Sequence, residues 1–267
     1  MTIERLKNYV GGEWIDSAAE ITGPVHNPAT GEQIGECPFS SVAEVDHAVA
    51  VAKQAFESWR RTPVEERIQP LFRLKALLDE HAEELAAILT REHGKTLSEA
   101  LGSVRRGIQM VEAATSAPSM MMGQSLEDIS RGIDCQSVRQ PVGVFSCIAP
   151  FNFPAMVPLW FFPFAVACGN TFVCKPSEQV PFSQKRMFEL VHEAGFPPGV
   201  LNLVNGAHDV VNGLLDNPDV DGISFVGSTP IAQYVYTRAS ANLKRVQSLG
   251  GAKNYIFLMA DADMEFA

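Results

Sequence analysis

Residues 142–179 read VGVFSCIAPFNFPAMVPLWFFPFAVACGNTFVCKPSEQ, and this stretch decides the fold. It opens on an apolar run, Val142–Ala149, and ends on a second, Thr171–Cys174, just before Lys175. Short uninterrupted apolar runs suit strands buried on both faces. Between them Pro154–Cys168 is almost wholly apolar, as a buried helix would be. No charge occurs between Arg139 and Lys175, so the stretch imitates a membrane span. Pro141, Pro150, Pro154, Pro158 and Pro163 punctuate it, however, and Gly143, Asn152 and Gly169-Asn170 interrupt it. A bilayer span needs about 20 continuous apolar residues. A strand–helix–strand unit buried in a core is therefore the expectation.

Downstream the theme repeats. Val200–Val204 and Gly222–Val226 read as strands, with helices over Phe182–Ala194, His208–Leu215 and roughly Pro230–Ala241. Strands alternating with helices imply an α/β fold with right-handed crossovers and a mainly parallel sheet flanked by helices. Ligands of such sheets bind where strand carboxyl ends meet helix N-termini. That singles out loops 149–154, 175–179 and 226–230.

Upstream the first forty residues read as short strands and turns. Gly11-Gly12 between Asn8-Tyr9-Val10 and Glu13-Trp14-Ile15 signals a hairpin, and Asn27–Glu32 is a turn cluster. Ser41 followed by Glu44 is a capping box opening a helix that runs to Trp59. Pro63 opens another helical region striped by Ile68, Leu71, Leu74 and Leu77. Further helix is expected over Ala82–His93 and from Ser98 to about Ala114. Residues 115–140, with Pro118, Gly123, Gly132 and Met120-Met121-Met122, are less regular and suit an extended arm.

The chain has 267 residues, 46% hydrophobic, 9% aromatic and 19% charged, with a formal net charge of −10. That apolar share can bury a large core, and disorder is improbable. The acidic balance argues against nucleic acid or an anionic membrane as the main partner. It leaves room for a local basic pocket that takes a small anion. The five cysteines, Cys37, Cys135, Cys147, Cys168 and Cys174, are odd in number and irregularly spaced. They read as reduced thiols in a reducing compartment, without a disulfide framework or a zinc or other metal site. The opening MTIERLKNYVGGEW lacks an apolar signal core, and a cytoplasmic location is expected.

Four loops carry candidate chemistry. In Ala149-Pro150-Phe151-Asn152-Phe153-Pro154 the Asn152 amide has a donor suited to a developing oxyanion, although an Asn that merely ties the turn is the plainer alternative. In Lys175-Pro176-Ser177-Glu178-Gln179 the ammonium and carboxylate suit ribose hydroxyls or an anion; the alternative is an exposed ion pair worth little. In Val226-Gly227-Ser228-Thr229-Pro230 a Gly allows close approach, and a capped helix N-terminus suits phosphate; a capped helix with no ligand is also common. The usual G-x-G-x-x-G dinucleotide fingerprint is missing. In Val246–Asn254 the paired Gly250-Gly251 permits close backbone approach to a ligand, or is simply a turn between strands.

Taken together, these motifs resemble the aldehyde dehydrogenase superfamily over essentially the whole chain. Tyr9–Trp14 and Asn27–Glu32 fit its N-terminal strands. Residues 106–112 (RGIQMVE), 149–160 (APFNFPAMVPLW) and 250–254 (GGAKN) are most similar to its CoA-acylating branch, which acts on malonate and methylmalonate semialdehydes; most of the superfamily has Trp where Phe151 stands. The resemblance implies a Rossmann-like NAD-binding domain over residues 1–248, including an antiparallel oligomerisation arm at about 118–141. Residues 249–267 would begin a catalytic domain. It implies a homo-oligomer, dimer or tetramer, when full length. Its cofactor is NAD, its co-substrate coenzyme A, and its substrate a small aldehyde.

Residue by residue, the resemblance assigns Ala149 and Phe151 backbone to the cofactor cleft. Lys175 and Glu178 go to the adenosine ribose with Gln179 beside them, Ser228 to the pyrophosphate, and Gly250 to the neighbourhood of the nicotinamide. Asn152 becomes the oxyanion-hole amide and Arg106 the arginine for the substrate carboxylate. In the family a cysteine thiolate attacks the aldehyde and hydride passes to the nicotinamide, leaving an acyl thioester. Hydrolytic members place a Glu two residues before the paired small residues. Here that position holds Leu249 or Ser248, depending on the register, which favours coenzyme A over water as acyl acceptor. A malonyl-type thioester can then lose CO2, giving acetyl-CoA or propionyl-CoA.

The family's nucleophile lies beyond Ala267, so the expectation is a fragment without it. None of the five thiols replaces it, since Cys147, Cys168 and Cys174 lie in apolar stretches that disfavour thiolate. Ala232 stands where the family commonly has Gly. Two rival readings are a hydrolytic aldehyde dehydrogenase and a non-catalytic nucleotide-binding protein.

Overall fold

The computed structural model describes residues 3–265. Its first forty residues form five short strands: β1 (Glu4–Arg5), β2 (Asn8–Val10), β3 (Glu13–Ile15), β4 (Thr22–His26) and β5 (Gln33–Pro38). Gly11 and Gly12, at φ +64° and +88°, turn β2 antiparallel onto β3, as a two-residue hairpin requires. β5 lies between β1 and β4 in a separate three-stranded sheet.

Helix α1 (Val42–Trp59) carries the capping box that its sequence announces: Ser41 N–H donates to Glu44 Oε2 at 2.8 Å, and Ser41 Oγ accepts from Glu44 N–H. It buries Val45, Ala48, Val49, Ala52 and Phe56. The next helices are α2 (Val64–Arg67), α3 (Gln69–Glu80) and α4 (Ala82–His93). α4 ends at Gly94, whose left-handed φ of +86° is the usual glycine stop. A second capping box, Thr96 with Glu99, opens α5 (Leu97–Ala114), one residue ahead of the Ser98 start expected from sequence. After α6 (Ala117–Met120), strands β6 (Gln124–Ser130) and β7 (Ile133–Ser137) pair antiparallel into a hairpin exposed along its whole length.

The apolar runs then form β8 (Val144–Ile148), α7 (Pro158–Ala167), β9 (Thr171–Lys175), α8 (Phe182–Glu193), β10 (Leu201–Leu203), α9 (His208–Asp216), β11 (Val220–Val226), α10 (Thr229–Ala241) and β12 (Arg245–Leu249). α7 begins four residues later than its apolar stretch suggests, because Pro158 can occupy a first turn whereas Asn152–Val157 form bends and turns. It is apolar all round and largely buried, with Trp160, Phe164 and Ala165 half-buried on its outer side. No helix among the described residues is long and apolar enough to cross a membrane. β12, which no apolar run announces, is an edge strand with alternating burial.

The seven-stranded sheet has the order β12-β11-β8-β9-β10-β2-β3. All neighbours from β12 to β10 are parallel, and β2 and β3 extend the sheet antiparallel. The chain steps outward β8→β9→β10, then returns to place β11 and β12 on the other side of β8. The order therefore reverses between β8 and β11. α7 and α8 pack on one face, where Leu159, Phe162, Phe188 and Leu190 meet Leu71, Leu85 and Ile108. α1, α9 and α10 pack on the other, where Val49, Leu214 and Val235 meet Val173 and Ile223. Burial of one such side chain is worth about 1.5–3 kcal/mol, so the two layers hold the strands in register.

Candidate functional site

Three of the loops singled out by sequence lie side by side at one edge of this sheet. Lys175 ends β9, Ala149 follows β8 and Gly227-Ser228 follow β11, and β8 is bonded to both neighbours. Ala149 N–H donates to Lys175 O at 2.9 Å, carrying the β8–β9 ladder one step past the strand end. With strands about 4.8 Å apart, the outer two loops are separated by about 10 Å. The reversal of strand order between β8 and β11 opens a crevice there, the usual ligand position in open α/β sheets.

Strand alternation fixes which face each group serves. Val173 belongs to the α9–α10 face, so Lys175, two residues on, points to that face as well. The α10 N-terminus begins there too. Lys175 is only 4% exposed, and its Nζ donates to Glu178 Oε2 at 2.6 Å. The pair is thus far from the exposed, weak ion pair that sequence allowed. Burial pushes the Glu178 carboxyl up, but the Lys175 charge and hydrogen bond outweigh it and hold the carboxyl below its usual range. Gln179 is exposed beside them.

Ser228 is the N-cap of α10, yet its side chain makes no capping hydrogen bond, so its Oγ stays available above the first turn. Gly251 N–H donates to Thr229 Oγ1 at 3.0 Å, and a Cβ on Gly250 would meet the same oxygen at 3.3 Å. The paired glycines therefore lie against the α10 N-terminus. Ala232 is buried on the same helix, and Ser248 Oγ donates to its carbonyl at 2.7 Å, so the methyl in place of a family Gly is accommodated.

On the opposite face the loop after β8 meets α5. Asn152 and Arg106 line one open cleft of about 730 Å3 with His93, Lys95 and Phe153. Asn152 is exposed. Its backbone carbonyl accepts from Lys95 Nζ at 2.9 Å, and its side chain has no partner among the described residues. The loop is tied by its main chain, leaving the amide free. Arg106 is exposed and donates to Gln109 Oε1 at 3.1 Å. Phe151, also exposed, stacks on His93 with centroids 6.2 Å apart.

Sequence reasoning missed His93 and Lys95. Both ring nitrogens of His93 are buried without a partner, and burial, then Lys95, lowers its pKa despite Glu99. Lys95 Nζ sits 4.4 Å from the centre of the Phe153 ring, a cation–π contact; burial lowers its pKa, with Glu99 opposing. The only signal was a polar His93-Gly94-Lys95 cluster at a helix end, which is unremarkable without knowing that loop 151–153 packs on it.

Four of the five thiols, all but the exposed Cys135, are poorly suited to attack. Cys37, Cys147 and Cys174 are buried. Burial pushes Cys37 up to about 12 and raises Cys168. Contact with Cys147 Sγ, 3.4 Å away, raises Cys174, with burial adding to it.

The model of the aldehyde dehydrogenase family matches residues 14–267. The chain is 56% identical over 265 residues to malonate-semialdehyde dehydrogenase 2 of Geobacillus kaustophilus, covering 99% of this chain and 55% of that protein. Its structure is similar to the crystal structure of methylmalonate-semialdehyde dehydrogenase from Oceanimonas doudoroffii, with a TM-score of 0.95 and 45% identity, over 98% of this chain and 54% of that one. A protein of Sinorhizobium meliloti assigned as a methylmalonate-semialdehyde dehydrogenase, solved in complex with NAD, gives a TM-score of 0.95 at 42% identity, over 99% and 54% of the two chains. The chain thus spans about half the length of the relatives it matches.

Proposed function

The chain belongs to the aldehyde dehydrogenase family, and from that premise we propose that it is the NAD-binding part of an oxidoreductase that converts malonate or methylmalonate semialdehyde to an acyl-CoA with loss of CO2. One observation carries this reading: the buried Lys175–Glu178 pair, Ser228 and the Asn152 loop gather at one end of the sheet, the pair and Ser228 on one face and Asn152 beside Arg106 on the other.

The residues fit the cofactor. Lys175 donates to ribose hydroxyls and Glu178 accepts from them, with Gln179 at the rim. Ser228 Oγ and the α10 N-terminus attract the pyrophosphate through free donors and the positive helix end. Ala149 and Phe151 backbone wall the crevice, and Gly250 allows the chain to pass close to the nicotinamide. Bound NAD supplies a hydride acceptor. On the other face the free Asn152 amide stabilises negative charge developing on the aldehyde oxygen, and Arg106 holds the substrate carboxylate. Lys95 fixes the loop backbone so that this amide is presented without rearrangement. None of the five thiols is the attacking sulfur: Cys37, Cys168 and Cys174 are pushed away from the thiolate, Cys147 is buried against Cys174, and Cys135 lies on β7, outside the lining of the Asn152 cleft. Leu249 and Ser248 offer no carboxylate to activate water, which supports coenzyme A as acyl acceptor. Residues 1–248 form the cofactor-binding unit, 249–267 lead into the catalytic part, and the exposed β6–β7 hairpin is the arm of a homo-oligomer.

Calorimetric titration of NAD into the 267-residue chain tests the binding half: saturable one-site binding is expected, and none would refute it. In a polypeptide extended to the length of the relatives, turnover is expected to depend strictly on coenzyme A. Equal rates with water as acceptor would refute the acyl-CoA assignment. Arg106→Leu there is expected to raise KM far more than it lowers kcat.

A further inference from the structure

At the opposite end of the sheet, α1, α2, α6 and the foot of the β6–β7 hairpin enclose an open recess of about 670 Å3. Arg60, Arg61, Arg67 and Arg139 line it, and no Asp or Glu does. None of the four makes an ion pair among the described residues. These four guanidiniums converge on one recess in a chain whose formal net charge is −10.

Arg67 is the decisive member. It is 4% exposed, its Nε has no partner, and its Nη2 has only the thioether of Met121, a weak acceptor, at 3.3 Å. A guanidinium buried without a carboxylate is costly, and burial lowers its pKa with only Cys168 opposing. The backbone is shaped around it: a side chain at Gly169, φ +90°, would collide with Arg67 Nη1 and with Pro141. Met121 and Met122 add an apolar wall beside the charges.

We propose that this recess is a binding site for a small organic phosphate, with Arg67, Arg61 and Arg139 gripping the phosphate and the methionines covering its organic part. Guanidinium forks match phosphate oxygens in pairs, and several of them suit a dianion better than a single carboxylate. Recesses of this volume accommodate ligands of metabolite size. Pro141 and Gly169 precede β8 and β9, so a whole strand, about 17 Å at about 3.3 Å per residue, separates the recess from Ala149 and Lys175. The site is thus distinct from the cofactor crevice.

The test is calorimetric titration of inorganic phosphate and of phenyl phosphate into the chain at constant ionic strength set with chloride. Saturable binding is expected, tighter for the phenyl ester. Arg61→Gln with Arg139→Gln, both exposed and so harmless to folding, is expected to weaken binding at least tenfold, and Arg67→Met to do the same. NAD affinity is expected to be unchanged by phosphate and by the double variant. No saturable binding, equal binding by the double variant, or competition between phosphate and NAD would overturn the proposal. So would chain self-association that the double variant abolishes while phosphate fails to bind.

Discussion

Replacing Lys175 with Met separates a binding role from a packing role at the cofactor edge. The Met keeps the length and apolar stem of the lysine and removes its charge. Glu178 Oε2, 2.6 Å from Nζ, then loses its partner, with the Glu178 side chain 33% exposed. Breaking a fully buried pair costs about 3–5 kcal/mol, and a carboxylate with this much access to water should lose only about 1–2 kcal/mol. For a chain of this size that is a fall in Tm of roughly 2–8 °C. Affinity for NAD should change more. A hydrogen bond to a charged group contributes about 1.5–3 kcal/mol, which at 1.4 kcal/mol per decade raises Kd roughly 10- to 150-fold. The pH dependence has a definite sign. Burial raises Glu178, but Lys175 overcompensates, so the folded carboxyl titrates below its unfolded value. Its stabilisation is present above the unfolded pKa and lost as pH falls through the folded one. In Lys175→Met this acid-side loss should vanish. Calorimetry with NAD at pH 7.5 and thermal melts from pH 3 to 8 measure both effects. A lowered Tm with Kd within twofold of the parent would refute the ribose assignment and leave the pair purely structural.

Three further perturbations address separate parts of the molecule. Asn152→Ala should leave Tm unchanged, because the amide is exposed and unpartnered, yet lower kcat of the extended enzyme about 10²- to 10³-fold; a large loss of Tm would mean that the amide ties the turn. Glu92 is buried and accepts from Phe182 N–H at 2.6 Å and Ser183 N–H at 3.0 Å; burial pushes it up to about 7 against these bonds. The folded state then holds the extra proton, so urea-unfolding stability should fall as pH rises from about 4.5 to 7, and Glu92→Gln should flatten that window. Tyr255, Ile256 and Phe257 are more than 80% exposed and adjacent, so the chain should associate with rising concentration in light scattering, and replacing all three by Ser should suppress this.

What could be read in advance was what is encoded locally. The Ser41–Glu44 box, the Gly11-Gly12 turn and the apolar runs of β8, β9 and β11 each carry their own signal within a few residues. The Thr96–Glu99 box was equally local and was overlooked, because the helix start was placed at Ser98. β12 escaped because an edge strand with Arg245 and Gln247 outward lacks the continuous apolar run of its neighbours. The site divides in the same way. Lys175, Glu178, Ser228 and Asn152 stand at strand ends and could be picked out by position. The burial of Lys175, the exposure of Asn152 and the joining of Lys95 to its carbonyl depend on elements distant in sequence. Lys95 and Asn152 are 57 residues apart, and no periodicity links them.

The shared parity of Val173 and Lys175 ties the chemistry of one residue to the packing of another. Deleting a single residue from β9 ahead of Lys175 would reverse the phase of everything after it and swing the ammonium to the α7–α8 side, although composition would hardly change. The core thus acts as an error detector for the crevice: a slip that turned the Lys175 ammonium away would also force an apolar side chain off its layer, and the fold would reject it.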